Sequence, residues 1–183
     1  PSGMEMMDKA LIHATDDFVK AGYPRDAESM LIVELDGTEN EVQELIDKVS
    51  KIAKKNKSSS IKISKNEKQR LKFWAGRKAA FPACGDMAPD YYCMDGTIPR
   101  GKLAEVLNEI QRLSKKYNLP VANAFHAGDG NLHPLIMYDA NEKNALEKTE
   151  KFGADILKYC VKVGGVLTGE HGVGVEKREL MCE

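Results

Sequence analysis

The sequence lacks the features that mark nucleic-acid-binding, membrane-spanning and disulfide-rich proteins. Its 27 basic and 28 acidic residues give a formal net charge of −1, so nucleic acid is not an expected partner. No apolar run approaches the roughly 20 residues that span a bilayer. The 4 cysteines include no CxxC pair, which excludes a zinc ribbon and a dithiol redox motif. Because a secretory h-region is also missing, we expect a reducing, cytoplasmic setting, with any membrane association peripheral and through a partner.

The length and composition fit a compact globular unit. The chain has 183 residues, of which 42% are hydrophobic and 30% charged, so it can bury a sizeable core. Both ends lie in helix-like patterns, and the second of these, Val175 to Met181, runs to Glu183. We therefore expect residues 1–183 to be a piece of a longer polypeptide.

The first third of the chain alternates between helical and extended patterns. Apolar residues at helical spacing predict a helix from Glu5 to Ala21. The short apolar run Met30 to Leu35 predicts a buried strand. Thr38 and Glu41 form a capping box at the start of a predicted helix from Val42 to Lys54.

The remaining segments continue this alternation and define the expected fold class. In chain order they are a strand from Ser60 to Ser64, a helix from Glu67 to Phe81, a loop from Pro82 to Pro89, a strand from Tyr91 to Ile98, a helix from Lys102 to Tyr117, strands Val121 to Phe125 and Leu135 to Tyr138, and a helix from Glu142 to Val163. Two strand-helix-strand halves predict an α+β fold, a ferredoxin-like α/β-plait that is single or duplicated, with an antiparallel sheet and helices on one face.

Three of the 4 histidines lie in two short stretches, and the first stretch is a predicted hairpin. Asp129-Gly130 between two apolar runs is the strongest short-range hairpin signal. A two-residue turn there would place His126 directly opposite His133, with Cβ atoms about 4.5–5.5 Å apart. Both imidazoles could then reach one metal ion, and a carboxylate from elsewhere would complete a three-ligand site with an open position. A histidine pair that only packs across the hairpin is the alternative interpretation.

A glycine-rich run, from Gly164 to Gly174, contains Glu170 and His171. Such a run can cradle a phosphate group through its backbone N–H groups. However, it has neither the lysine spacing of a P-loop nor a GxGxxG fingerprint after a strand. We therefore expect its glycines to let the backbone bend closely around Glu170 and His171.

Two motifs in the chain resemble the C-terminal domain of the FAD-linked oxidases: HAGDGNLHP and GGVLTGEHGVGVEKRELM. That family contains a flavin-binding subunit of glycolate oxidase, and it also contains cytochrome-type D-lactate dehydrogenase and D-2-hydroxyglutarate dehydrogenase. Trp74 to Arg77 and Asp95 to Pro99 are similar to upstream segments of that family. The resemblance implies an FAD-dependent oxidoreductase that oxidises a 2-hydroxy acid. It also implies that a separate N-terminal domain binds most of the FAD, that residues 1–183 cover the substrate, and that this fragment is inactive alone.

The resemblance also implies roles for individual residues. His126, His133 and Glu170 match the family's ligands of a divalent metal, Zn or Mn. His171 matches its general base, and Arg77 matches the residue that binds the substrate carboxylate. Asn131 and Gly172 match positions on the cofactor side of the site. The implied partners are a small 2-hydroxy acid, the FAD domain of the same polypeptide, and other oxidase subunits or a second copy of the chain.

Two functions from other classes remain open at this stage. The same ligands could hold a structural metal ion that stabilises a non-catalytic interaction module. In that case a fourth protein ligand such as Asp129 or His171 would complete the coordination of the metal. A metal-free ferredoxin-like domain that binds a small acid is the other alternative.

Overall fold

The computed structural model describes residues 1–182, and this part of the chain folds into an α+β domain, as predicted. Its seven strands are β1 (Gly3–Asp8), β2 (Ser29–Glu34), β3 (Asp90–Cys93), β4 (Gly96–Thr97), β5 (Val121–His126), β6 (Asn131–Leu132) and β7 (Pro134–Tyr138). Its six α-helices are α1 (Lys9–Val19), α2 (Glu39–Lys55), α3 (Glu67–Lys78), α4 (Ala80–Ala83), α5 (Leu103–Tyr117) and α6 (Ala145–Lys162). None of the helices in residues 1–182 is long and apolar enough to cross a membrane.

The strands form one sheet in which every named pair is antiparallel. Its order is β2-β1-β5-β6-β4, and β7 pairs with both β5 and β3. The two central strands, β1 and β5, are joined with Glu5 opposite His126 and Met7 opposite Ala124. Residues at the end of β5 therefore lie next to side chains of β1.

Helices cover both faces of the sheet, so the expectation of helices on one face was wrong. Val121 and Phe125 of β5 pack into a core with residues of α5 and α6. The alternate residues Ala122 and Ala124 pack into a second core with residues of α1 and with Ala80 of α4. The first five residues of β5 are all buried, and a strand buried on both sides needs cover on both faces.

The segment predicted as one helix from Glu5 to Ala21 begins with a strand. Met6 packs against the core under α5 and α6, while Met7 lies in the other core, which is the alternation of a strand. Asp8 then ends β1 and caps α1, because its carboxylate accepts a hydrogen bond of 3.2 Å from the backbone N–H of Leu11.

Four other predicted elements differ from the structure. The loop predicted from Pro82 to Pro89 contains the end of α4 and a 3₁₀ turn, Cys84–Asp86. Ser60 to Ser64 forms no strand, and Ile61 and Ile63 are 38% and 49% exposed because no neighbouring strand pairs with them. The strand predicted from Tyr91 to Ile98 is broken into β3 and β4 around Asp95. Val175 to Met181 contains only a 3₁₀ turn, and Glu183 lies outside the described residues.

The remaining helices and strands agree with the sequence predictions to within a few residues. The capping box of α2 is confirmed, since the backbone N–H of Thr38 donates to the carboxylate of Glu41 at 2.9 Å. No residue of α2 is fully buried, whereas α6 buries seven residues against the sheet.

Candidate metal centre

The histidine hairpin forms, but its register differs from the predicted one. His126 lies opposite Asn131, so the connection is the four-residue loop 127–130 and not a two-residue turn. This loop is held from outside the hairpin, because Gly128 N–H donates to Met4 and the carbonyl of Gly130 accepts from Ile98. The register moves by two residues, and an even shift leaves every side chain on its original face. His126 and His133 therefore still share a face of the sheet.

Gly130 is required by the geometry of this loop. Its φ of +76° is in the left-handed region, and a Cβ atom there would lie 2.1 Å from the carbonyl oxygen of Ile98. A larger residue would force the loop away from the neighbouring strand.

The two histidine rings meet edge to face at the end of the sheet. Their centroids are 5.2 Å apart and their planes are inclined by 82°. The side chain of His133 is only 3% exposed, and neither of its ring nitrogens has a hydrogen-bond partner in the described part of the chain. Burial, followed by the proximity of His126, lowers the pKa of His133 below its usual value. His133 is thus held as the neutral imidazole that metal coordination needs.

Glu170 completes a set of three ligand groups. Its Oε1 lies 3.1 Å from Nε2 of His133 and 3.4 Å from Nε2 of His126. One ligand atom from each residue lies within 4.8 Å of the other two, and no other such group occurs in residues 1–182. Two imidazoles and one carboxylate are a typical donor set for a catalytic divalent metal. The buried Nε2 of His133, which has no hydrogen-bond partner although Oε1 of Glu170 is 3.1 Å away, fits such an ion.

The possible fourth ligands considered from the sequence do not join this group within residues 1–182. The side chain of Asp129 belongs to an exposed residue of the hairpin loop. The ring of His171 instead stacks on His133, with centroids 5.1 Å apart and planes inclined by 11°. The three-ligand arrangement is the open type that leaves room for substrate or water.

A buried carboxylate, Asp95, fixes the backbone that carries Glu170 and His171. It accepts hydrogen bonds from the backbone N–H groups of Gly169 and His171, each at 2.9 Å, and from the hydroxyl of Thr168 at 2.6 Å. Lys177 Nζ is 2.8 Å from the Asp95 carbonyl and 3.3 Å from its carboxylate. Burial alone would raise the pKa of Asp95, but the hydrogen bonds from Thr168 and the backbone outweigh it and hold this pKa well below its usual range.

Sequence analysis did not identify Asp95 as a functional residue. The available signal was a charged residue at the centre of a predicted strand, which is unusual unless the charge has partners. Those partners come from residues more than 70 positions later in the chain, so the sequence pattern around Asp95 could not reveal them.

Asn131 and Gly172, assigned to the cofactor side, occupy different parts of the site. Asn131 is 7% exposed, and its Oδ1 is buried without a hydrogen-bond partner in the described chain. Its amide group lies so close to Gly169 that a Cβ atom on that glycine would be 1.9 Å from Nδ2. Gly172 has a φ of +83° and open space around it, on the exposed part of the loop.

Arg77 is buried near the histidines, but its partner in the structure is a carboxylate of β1. Its Nε and Nη2 atoms each lie 2.9 Å from Oε2 of Glu5. The other oxygen of Glu5 lies 2.7 Å from Nδ1 of His126. Glu5 was hidden from sequence analysis by the predicted helix that began with it.

Comparison with known proteins defines the class of this domain. Residues 1–183 match the family described as "FAD linked oxidases, C-terminal domain", and the chain belongs to this family.

Within the family, the chain is similar to curated subunits of glycolate oxidase. It is 54% identical to "Glycolate oxidase subunit GlcD" of Escherichia coli (strain K12) over 182 residues, which cover 100% of this chain and 36% of that protein. The protein of the same name from Bacillus subtilis (strain 168) is 32% identical over 97% of this chain and 38% of its own length. "D-lactate dehydrogenase [cytochrome], mitochondrial" of Arabidopsis thaliana is 29% identical over 98% of the chain and 32% of its length. The chain thus spans about a third of the length of these relatives.

A solved structure supports the fold. The 4-ethylphenol oxidase of Gulosibacter chungangensis, in complex with isoeugenol, aligns with a TM-score of 0.56 at 10% identity, over 91% of this chain and 39% of that one. At this identity the likeness concerns the fold alone.

Proposed function

We propose that this chain is the substrate- and metal-binding domain of an FAD-dependent 2-hydroxy-acid oxidoreductase of the glycolate oxidase or D-lactate dehydrogenase type. The observation that carries the proposal is the three-ligand group of His126, His133 and Glu170. It lies in a domain of the FAD-linked oxidase family that is 54% identical to a glycolate oxidase subunit.

The proposed reaction converts a 2-hydroxy acid to a 2-oxo acid. A ring nitrogen of His171 would accept the hydroxyl proton, and FAD, when bound, would supply the acceptor for the hydride on C2. A divalent ion, Zn or Mn, held by His126, His133 and Glu170 would supply Lewis-acid polarisation of the substrate hydroxyl. Stacking on the buried ring of His133 fixes the position of the exposed His171 ring beside the three ligands.

Arg77 is proposed to bind the substrate carboxylate. Its contacts with Glu5 use Nε and Nη2, which leaves Nη1 to donate to a second carboxylate. Its side chain is only 11% exposed, so a substrate would meet it at the bottom of the site.

The wider assembly is also part of the proposal. An N-terminal domain of the same polypeptide would hold most of the FAD, with Asn131 and Gly172 facing it. The open space at Gly172 allows close approach of that domain. Further oxidase subunits or a second copy are proposed partners, in a cytoplasmic setting with peripheral membrane contact through them. The ferredoxin-like plait, single or duplicated, remains a proposed description of the sheet.

The test uses the intact protein with glycolate and D-lactate as substrates and an artificial electron acceptor. His126→Ala and His133→Ala should each lose turnover and bound metal, while flavin absorbance is unchanged. His13→Ala is the matched control, because His13 lies on α1, far from the three ligands in sequence, and its Nε2 is 2.7 Å from the carbonyl oxygen of Arg25.

Two results would reject the catalytic assignment. One is full turnover in either histidine variant. The other is metal that stabilises the wild-type fold without any effect on turnover, which would favour the non-catalytic module.

A further inference from the structure

A buried carboxylate lies beside the metal centre and has no role in the reaction proposed above. Glu5 is on central strand β1, directly opposite His126 of β5, and is 8% exposed. Its neighbour on the same face, Met7, is 1% exposed and belongs to an apolar core. An ionised group in such a place is costly unless it is paired and hydrogen-bonded.

The two oxygens of Glu5 have separate partners. Oε2 is taken by Arg77, through Nε and Nη2 at 2.9 Å each. Oε1 is left for Nδ1 of His126, at 2.7 Å. Arg77 therefore compensates the charge of Glu5 without competing for the oxygen that faces the histidine.

This division favours one ring nitrogen of His126 as the site of the proton. A carboxylate that accepts from Arg77 on one oxygen can accept on the other as well, so the geometry favours Nδ1 of His126 as the donor to Oε1 of Glu5. In the neutral ring the lone pair is then on Nε2, which is the atom 3.4 Å from Oε1 of Glu170. Carboxylate-histidine pairs of this kind orient metal-binding imidazoles and make them more basic.

We propose that Glu5, held by Arg77, is a positioning residue that fixes the tautomer and ring orientation of His126 for metal binding. The inference deepens the proposed function and rests on its three-ligand metal site. It also gives Arg77 a second task, since the same guanidinium that would meet the substrate carboxylate holds the carboxylate that orients a metal ligand.

The experiment measures binding of Zn²⁺ and Mn²⁺ to the intact metal-free protein by competition with a chromophoric chelator. Glu5→Leu/Arg77→Leu replaces the buried ion pair with apolar side chains, an exchange that folded proteins tolerate. It should weaken metal binding by about 10- to 100-fold, the usual effect of losing such a partner. Glu5→Gln, which keeps an acceptor for Nδ1–H, should lose less than the double variant.

Glu34→Gln is the matched control. Glu34 lies on the neighbouring strand β2 and pairs with Arg70 at 2.6 Å, but it contacts no histidine. Its substitution should leave metal affinity within about 2-fold of the wild type. Unchanged affinity in Glu5→Leu/Arg77→Leu, with the wild type binding metal, would overturn the proposal.

A second measurement separates this inference from the proposed function. Nitrogen-15 NMR of the metal-free protein should show His126 as the Nδ1–H tautomer in the wild type and as a mixture of tautomers in Glu5→Leu/Arg77→Leu. A wild type that binds neither metal would defeat the metal part of the proposed function, yet the tautomer would still test Glu5. A wild-type His126 with its proton on Nε2 would refute the role of Glu5 directly.

Discussion

The three proposed metal ligands come from two different kinds of structure. His126 ends the central strand β5, and His133 lies between the short strands β6 and β7, with its side chain only 3% exposed. Glu170 lies in the stretch 167–173, which has no helix or strand, and its side chain is 53% exposed.

This difference shows two ways of placing a ligand. The histidines are positioned by strand pairing, because His126 is paired with Asn131 at the end of β5 and His133 lies between β6 and β7, each of which pairs with β5. Glu170 is positioned by the buried carboxylate of Asp95, which accepts hydrogen bonds from the backbone N–H groups of the residues on either side of Glu170. We therefore expect the histidine side to control affinity for the metal and the position of the loop side to depend mainly on Asp95.

The largest effect is expected from Asp95→Asn, which removes the charge that organises the loop. Lys177 would be left buried without its counter-charge, and breaking a buried pair costs about 3–5 kcal/mol of unfolding free energy. Urea denaturation of the metal-free protein measures the loss. Asp155→Asn is the control, because the pair of Asp155 with Lys116 is partly exposed and should contribute about 1 kcal/mol or less. Equal losses in the two variants would contradict the role of Asp95.

The next effect concerns the two kinds of ligand. His133→Ala should weaken Zn²⁺ binding by more than about 100-fold, since a buried, preorganised ligand contributes more than its surrounding partners. Glu170→Ala should weaken it by about 10-fold, because water can replace an exposed carboxylate. Isothermal titration calorimetry gives both values. A larger loss in Glu170→Ala would reverse the comparison.

A substitution of one methyl group tests how tightly the loop is docked on the hairpin. Gly169→Ala would place a Cβ atom 1.9 Å from the amide of Asn131, so the loop must move. Overpacking of this kind costs about 1–3 kcal/mol. Thermal unfolding monitors the change. Gly101→Ala, where no atom lies within 4 Å of the added Cβ, should have little effect, and similar melting temperatures for both variants would argue against close docking.

The smallest effect is a pH dependence that also traces to Asp95. The pKa of Asp95 is lower in the folded protein than in the unfolded chain, where it is about 3.9. Ionised Asp95 therefore contributes its full stabilisation above about pH 3.9, and this stabilisation is lost as the pH falls below that value toward the folded-state pKa. Between about pH 5 and pH 3 the loss should be about 1 kcal/mol. Unfolding free energies measured across this range should fall less steeply in Asp95→Asn. Parallel curves would show that other carboxylates are responsible.

The sequence predicted the shared face of the two histidines because that prediction depends only on side-chain alternation. His126 and His133 would have pointed to opposite faces after a shift of one residue, but the actual shift is two. The register itself was not predictable, since the loop 127–130 is held by Met4 and Ile98, which belong to other parts of the sheet.

The contacts made by Glu5 and Asp95 could not be predicted for a related reason. Glu5 begins a segment whose apolar spacing is helical, and only pairing with β5 makes it a strand. Asp95 acts on residues 73 to 76 positions later, beyond any local pattern. Local signals were sufficient for the helices α5 and α6, whose apolar residues recur at helical spacing, and for strand β5, which is a short apolar run.

The convergence of loop N–H groups on Asp95 has a consequence for amide hydrogen exchange. The amide hydrogens of Gly169, Glu170 and His171 are all donated to one carboxylate, although none of these residues is in a helix or strand. They should therefore be protected from deuterium and should become exchangeable together, in a single opening event. The rate of that event would report how often the loop carrying Glu170 leaves the histidines of the sheet.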